Sequence, residues 1–291
     1  MRYALRYRAT YHYRNSVPFA QHVVRVLPID ADGQRVETAS LVFDPAPVER
    51  YDSTDFYGNR ISWIAFDRPH QSFEMRLLAR VEVRRSELAG PSPAWEAIRD
   101  AALLHNGLAA RSPLHFLFES PRIGLHEELR RYALPSFTAE RPIVDAARDL
   151  AARIHDDFRY LPGATEPQTS ALEAFRLRQG VCQDFSHVMI GAMRSIGLPA
   201  GYVSGFIRTE SPAGQPRLEG ADAMHAWANV WAGDALGWIG IDPTNRMQAT
   251  NDHLLVAVGR DYTDVSPVDG IIIASGGQRL DVGADVIALS G

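Results

Sequence analysis

A single cysteine, Cys182, stands in a chain of 291 residues. It follows Gln179-Gly180-Val181 and opens the clearest helical period in the sequence, Phe185, Val188, Met189, Ala192, Met193 and Ile196, with Gly197 and Pro199 as the stop. At the start of a helix, unpaired backbone N–H groups and the positive end of the macrodipole favour thiolate over thiol. The same N–H groups suit an oxyanion formed on a substrate joined to the sulfur. Position alone leaves the bland alternative open, a small buried apolar side chain. One thiol also excludes an internal disulfide and any multi-thiolate metal site.

His225 lies in Asp222-Ala223-Met224-His225-Ala226-Trp227, and Asp242 ends Gly237-Trp238-Ile239-Gly240-Ile241-Asp242. Between them Ala232-Gly233-Asp234-Ala235 reads as a tight turn. A hairpin symmetric about Gly233–Asp234 sets His225 directly opposite Asp242, with Cβ atoms about 5 Å apart on one face. A carboxylate there orients an imidazole and stabilises its charged form. A sheet laid against the helix start then assembles Cys182 as nucleophile, His225 as base and Asp242 as orienter. The rival readings are a satisfied core histidine and a strand-ending turn at Asp242-Pro243-Thr244-Asn245. With one thiolate and no histidine pair at ligand spacing, no metal and no other cofactor is expected, and the absence of an acidic loop of EF-hand type argues the same for calcium.

These residues need elements to hold them. From Tyr3 to Tyr13, odd positions carry Tyr, Leu or Ala while Arg2, Arg6, Arg8, His12 and Arg14 fall on the other side, the alternation of a half-buried strand. Strand-like runs follow at His22–Leu27, Glu37–Phe43, Ile61–Phe66 and Phe73–Val83, separated by turn chemistry. Residues 1–86 are therefore expected to form a β-sandwich. Gly90-Pro91-Ser92-Pro93 breaks the pattern, with Ser92 as an N-cap and Pro93 as the first helical residue. Residues 87–291 make the second domain: a helical lead-in over 93–160, a core over 165–262, and tail strands over 263–291 expected beside the core sheet. A helix followed by antiparallel strands describes an α+β fold.

Composition bounds the partners. All 30 basic residues are arginine, and against 35 acidic ones they leave a net charge of −5. That balance argues against a nucleic acid or a membrane surface as partner. The charged N-terminus has no signal-peptide core and no apolar run reaches membrane length, so a cytoplasmic location is expected. Nothing in the sequence fixes the oligomeric state.

Gly180-Val181-Cys182-Gln183-Asp184-Phe185-Ser186-His187, Tyr202-Val203-Ser204-Gly205-Phe206, Met224-His225-Ala226-Trp227 and Trp238-Ile239-Gly240-Ile241-Asp242-Pro243-Thr244-Asn245 closely resemble the bacterial transglutaminase-like family. Asp55-Phe56-Tyr57-Gly58-Asn59 resembles its β-rich N-terminal domain, and Val256-Ala257-Val258-Gly259-Arg260-Asp261-Tyr262 also matches. The resemblance implies a papain-like core that uses Cys182, His225 and Asp242 as a Cys–His–Asp triad. The oxyanion tryptophan of tissue-type transglutaminases has no counterpart, because no tryptophan lies between Trp95 and Cys182. The Cys182 N–H is the expected donor, with Tyr160 or Gln183 as helpers, and Ser186 and His187 as supporting residues. The expected activity is acyl transfer from a peptide or carboxamide through a thioester, resolved by water rather than by an amine. A transamidase, and a binding scaffold on the same fold, stay as alternatives.

Overall fold

The structure, a computed structural model, describes residues 1–85, 88, 90–209 and 224–289. The domain boundary expected between residues 86 and 87 lies outside them. Six strands come first: β1 (Arg2–Val17), β2 (Phe19–Val24), β3 (Gln34–Asp44), β4 (Glu49–Thr54), β5 (Arg60–Phe66) and β6 (His70–Val83). Helices α1 (Trp95–Leu104), α2 (Glu127–Ala133) and α3 (Ile143–Asp157) follow. Two short strands, β7 (Arg159–Tyr160) and β8 (Gln179–Gly180), bracket α4 (Ala171–Leu177) and lead into α5 (Cys182–Arg194). Then come β9 (Ala200–Ile207), β10 (Met224–Trp231), β11 (Trp238–Asp242), β12 (Met247–Gln248), β13 (His253–Gly259), α6 (Tyr262–Val265), β14 (Val268–Ile273) and β15 (Gln278–Leu289).

The sandwich has two four-stranded sheets, ordered β15-β1-β6-β3 and β14-β2-β5-β4. The alternation along β1 sorts as its residue types require: Tyr3, Leu5, Tyr7, Ala9 and Tyr13 are buried while Arg2, Arg6, Arg8, His12 and Arg14 are exposed. The tail corrects one expectation. Instead of joining the core sheet, β15 pairs with β1 from Arg2↔Leu289 to Tyr13↔Gln278, and β14 pairs with β2. Both β1 and β2 would otherwise present open edges, and Ala284 and Val286 of β15 add to the sandwich core. A strand pattern reveals a strand and which side is apolar, but not which edge it will cover.

Ser92 corrects another. The first helix begins at Trp95, and Ser92 Oγ instead accepts the N–H of Val144, 3.0 Å away, in the first turn of α3. The cap is real but serves a helix fifty residues later, which ties the start of the lead-in to α3.

Helix α5 is the centre of the second module. The apolar stripe predicted from its periodicity is buried, and so are Asp184, Ser186, His187, Ile190, Gly191 and Arg194 around the other faces. Helices α2, α3 and α4 and strands β9 and β10 enclose it. Arg194 closes its far end, donating to the carbonyls of Ala200, Phe118 and Arg260 and to Ser120 Oγ. Such a charge is tolerated in the interior because its donors are matched.

The core sheet runs β12-β11-β10-β9-β13. Its edge strands β12 and β13 are joined only by residues 249–252. Five Cα steps reach about 17 Å at full stretch, whereas the outer strands of a flat five-stranded sheet lie about 19 Å apart. The sheet must therefore curl, and Trp227, buried with Ile29, Val203, Ala249, Leu255 and Val258, fills the concavity.

The sandwich grips the far edge of this sheet. Gln34 of β3 accepts the Leu255 N–H at 2.8 Å and donates to the Leu255 carbonyl at 2.7 Å. Asn59, in the turn before β5, makes the same double bond with Val258, both arms at 2.8 Å. Two side-chain amides thus stand where a further strand would pair with β13. No described helix is long and apolar enough to cross a membrane.

Candidate active site

Cys182 is the first residue of α5, partly buried, with Val181 as the N-cap. A valine cannot cap with its side chain, so the turn is held from the other direction. Asp184, at the third helical position, accepts the Val181 N–H at 2.8 Å and the Thr165 hydroxyl at 2.7 Å through one carboxylate oxygen. Burial raises the Asp184 pKa against the pull of these donors. Gly180 makes room: a Cβ there would lie 2.3 Å from that oxygen. The N–H groups of Cys182 and Gln183, in the first turn, have no intrahelical acceptor.

The Cys182 thiol stands beside the His225 ring, near enough to help raise its pKa. His225 is buried near the start of β10, and its Nε2 donates to Asp242 Oδ2 at 2.7 Å. Nε2 is thereby committed to the carboxylate, which leaves Nδ1 for sulfur. Burial opposes a charge on the ring, but the hydrogen bond to Asp242 and the nearby Cys182 outweigh it, and the pKa is pushed up to about 10.

Asp242, at the end of β11, is fully buried and collects five donors. Oδ2 accepts from His225, from His253 Nε2 at 3.1 Å and from Asn245 Nδ2 at 2.7 Å. Oδ1 accepts the N–H of Thr244 at 2.9 Å and of Asn245 at 3.1 Å. Burial alone would raise its pKa; the histidines and Asn245 reverse that and hold the carboxyl below its ordinary range. The strand-ending turn weighed as a rival reading is also present, and it is what points the two N–H groups at Oδ1.

The register differs from the one expected. Strands β10 and β11 pair Trp231↔Trp238 through Ala228↔Ile241, so the hairpin is centred one residue later than Gly233–Asp234 symmetry requires and each residue's partner moves by two. The loop closes through Gly237 N–H to the Gly233 carbonyl at 2.7 Å, and both glycines have positive φ (91° and 65°). A two-residue slip in pairing keeps the side-chain face, so the two residues meet on a diagonal rather than directly opposite.

The two expected helpers separate. Tyr160 is 52% exposed on β7, and burial with the nearby Cys182 and Asp184 raises its pKa. Gln183 has one side-chain N–H committed to the Pro167 carbonyl at 3.1 Å. Ser186 and His187 are buried; His187 Nε2 accepts the Tyr262 N–H at 3.1 Å, tying α5 to α6. Trp227 and Trp231 pack in the interior, while Trp238 donates to the Arg111 carbonyl at 3.1 Å.

The sequence reading did not single out Asn245 or His253. Asn245 sits in a stretch read both as a turn and as part of the family resemblance, with no role of its own assigned. His253 lies eleven residues beyond Asp242, on a strand at the opposite edge of the sheet, and only the curl brings it back. His225, Asp242 and His253 place three potential metal-ligand atoms within 4.8 Å of one another. Thr250 N–H donates to His253 Nδ1 at 3.1 Å, so the ring proton sits on Nε2 and that nitrogen has no lone pair for a cation. The donor set does not fit a metal.

Residues 131–243 match the Transglutaminase-like superfamily, and residues 3–82 match the Bacterial transglutaminase-like N-terminal region. An uncharacterized protein of Mycobacterium tuberculosis is 37% identical over 299 residues, spanning 100% of this chain and 94% of the relative. One from Mycobacterium leprae is 29% identical over 241 residues, spanning 82% of each. Among solved structures, a protein named "Putative Cysteine Protease" from Cytophaga hutchinsonii superposes with a TM-score of 0.75 at 20% identity, over 100% of this chain and 92% of that one.

Proposed function

The chain belongs to the transglutaminase-like superfamily, and we propose that it is a cysteine-dependent acyl-transfer enzyme that hydrolyses a peptide or carboxamide bond. The observation that carries this reading is the sole thiol, at a helix start, beside an imidazole hydrogen-bonded to a buried carboxylate. The fold shared with the Cytophaga hutchinsonii protein is consistent with it.

In this reading His225 takes the Cys182 proton, and the sulfur attacks the carbonyl carbon of the substrate. The carbonyl oxygen becomes an oxyanion within reach of the N–H groups of the first turn of α5. The C–N bond breaks, the nitrogen leaves with the proton held by His225, and a thioester remains. Water then attacks the thioester, giving its proton to His225, and the acid departs as the thiol re-forms. Asp242 stabilises the imidazolium throughout without itself becoming protonated.

The test uses the single cysteine. Alkylation of Cys182 by iodoacetamide is followed by mass spectrometry from about pH 4 to 10, in wild type and in His225→Ala. Rapid reaction well below neutrality, lost in the variant, is expected. A rate that rises only above about pH 8 in both proteins would favour a scaffold. Glutamine-containing peptides, incubated with and without a primary amine, then separate hydrolysis from transamidation: release of free acid or ammonia without amine uptake is the expected result. The chain has no lysine, so side-chain amines of its own cannot act as acceptors in that assay.

A further inference from the structure

We propose that His253 is a positioning residue for the Asp242 carboxylate, and that the N-terminal sandwich holds His253 in place. The proposal rests on the reading of Cys182, His225 and Asp242 given above.

His253 approaches the same oxygen as His225. Its Nε2 lies 3.1 Å from Asp242 Oδ2, and the Thr250 N–H at Nδ1 fixes the proton on Nε2, directed at the carboxylate. The ring is fully buried and meets Trp227 edge to face, with centroids 5.2 Å apart. Burial lowers its affinity for a second proton, against the pull of Asp242. A neutral donor in this position fixes the rotation of the carboxylate without neutralising it, as an arginine or lysine would. The charge stays available to His225, and the oxygen that carries it stays where His225 can reach it.

The residues that secure His253 come from the sandwich. Arg85, just beyond β6, donates to the His253 carbonyl at 2.6 Å and also to the Thr250 carbonyl. Its own N–H donates to Asn251 Oδ1 at 2.8 Å. The Tyr3 hydroxyl donates to Asp252 at 2.8 Å, and Gln34 and Asn59 hold Leu255 and Val258. Four sandwich residues therefore fasten the segment from Thr250 to Val258. In the described hydrogen bonds none of them touches Cys182, His225 or Asp242, and the hydrogen-bonded route from these four residues to the site passes through His253.

The test compares side chains of similar length. His253→Met removes the donor, and His253→Gln restores an N–H at the end of an equally long chain. At about pH 6, the alkylation rate of Cys182 is expected to fall about tenfold to a hundredfold in the Met variant and to recover to within about threefold of wild type in the Gln variant. Arg85→Met, with His253 intact, is expected to lower the rate in the same direction. Equal rates in wild type and His253→Met overturn the proposal. So do equal losses in the Met and Gln variants, which mark a purely structural role. If His253→Met does not fold, Arg85→Met decides, and an unchanged rate there overturns the proposal. His225→Ala keeps the two readings apart. A wild-type rate independent of His225 defeats the reading of the three residues and the proposal together, whereas a His225-dependent rate indifferent to His253 defeats the proposal alone.

Discussion

His225 and Asp242 are joined at 2.7 Å across two strands whose pairing does not set them opposite each other. The contact survives because a slip of two residues preserves the face on which both side chains lie, and because the turn after Asp242 presses its carboxylate back towards β10. The bond is what allows a buried imidazole to keep a proton up to about pH 10.

Asp242→Asn should break this without disturbing the backbone. The amide has no charge and brings donors of its own to a site already holding five. The His225 pKa should drop from about 10 towards its ordinary value of 6.5. By analogy with triads that lose their carboxylate, turnover should fall about 10³- to 10⁴-fold. Titration of the His225 ring by NMR, alongside the alkylation rate at low pH, measures both effects.

Thermal stability should have a broad maximum between about pH 6.5 and about 8.5. In that range the folded pair of Cys182 and His225 holds one proton on the ring while the unfolded chain holds one on the thiol. From about 8.5 to about 10 the unfolded thiol has also ionised and the folded protein still keeps the His225 proton, so stability falls as pH rises. Below 6.5 the opposite holds at His22 and His187, whose pKa values burial lowers to about 4. There the unfolded chain binds protons that the folded one excludes, and stability falls as pH falls. Melting temperatures from about pH 4 to 10 should trace this peak, and His22→Phe should flatten the acid side. A melting temperature that stays level from neutrality to pH 10 would contradict the His225 assignment.

Gly180→Ala should damage the site from two residues before the helix. The new Cβ would stand 2.3 Å from the Asp184 oxygen that holds Val181 and Thr165. Relief requires the carboxylate or the turn to move, at a cost of about 1–3 kcal/mol. Chemical denaturation reads the stability loss, and the rate of Cys182 alkylation reads the displacement of the helix start.

Gln34→Leu should weaken the junction between sandwich and core sheet. It leaves the Leu255 N–H and carbonyl without their partners on that side, in the interior, for a loss of about 2–5 kcal/mol in total. Unfolding monitored by both tryptophan fluorescence and circular dichroism should then lose coincidence between its two probes.

Much of this was written in local pattern. The period of α5 and the alternation of β1 are short-range signals, and the structure has elements where they point. Cys182 and His225 stood out because each belongs to an element with a legible start. What the sequence hid is what depends on the partner of an edge. Strands β14 and β15 look like any strand until β1 and β2 are seen to need covering. The exposed strand β4 has no alternation to announce it. His253 escaped for the same reason: its closeness to Asp242 is a product of sheet curl, and no spacing along the chain encodes that.

The pairing of β1 with β15 also sets a clock. Arg2 leaves the ribosome well before its partner Leu289, 287 residues later in the chain, is added. At about 5–20 residues per second, β1 waits some tens of seconds for that neighbour. The sheet that carries Tyr3, and with it one of the ties to the Asp252 loop, stays unfinished during that time. A nascent chain long enough to contain Cys182, His225 and Asp242 still lacks the strand that completes their support.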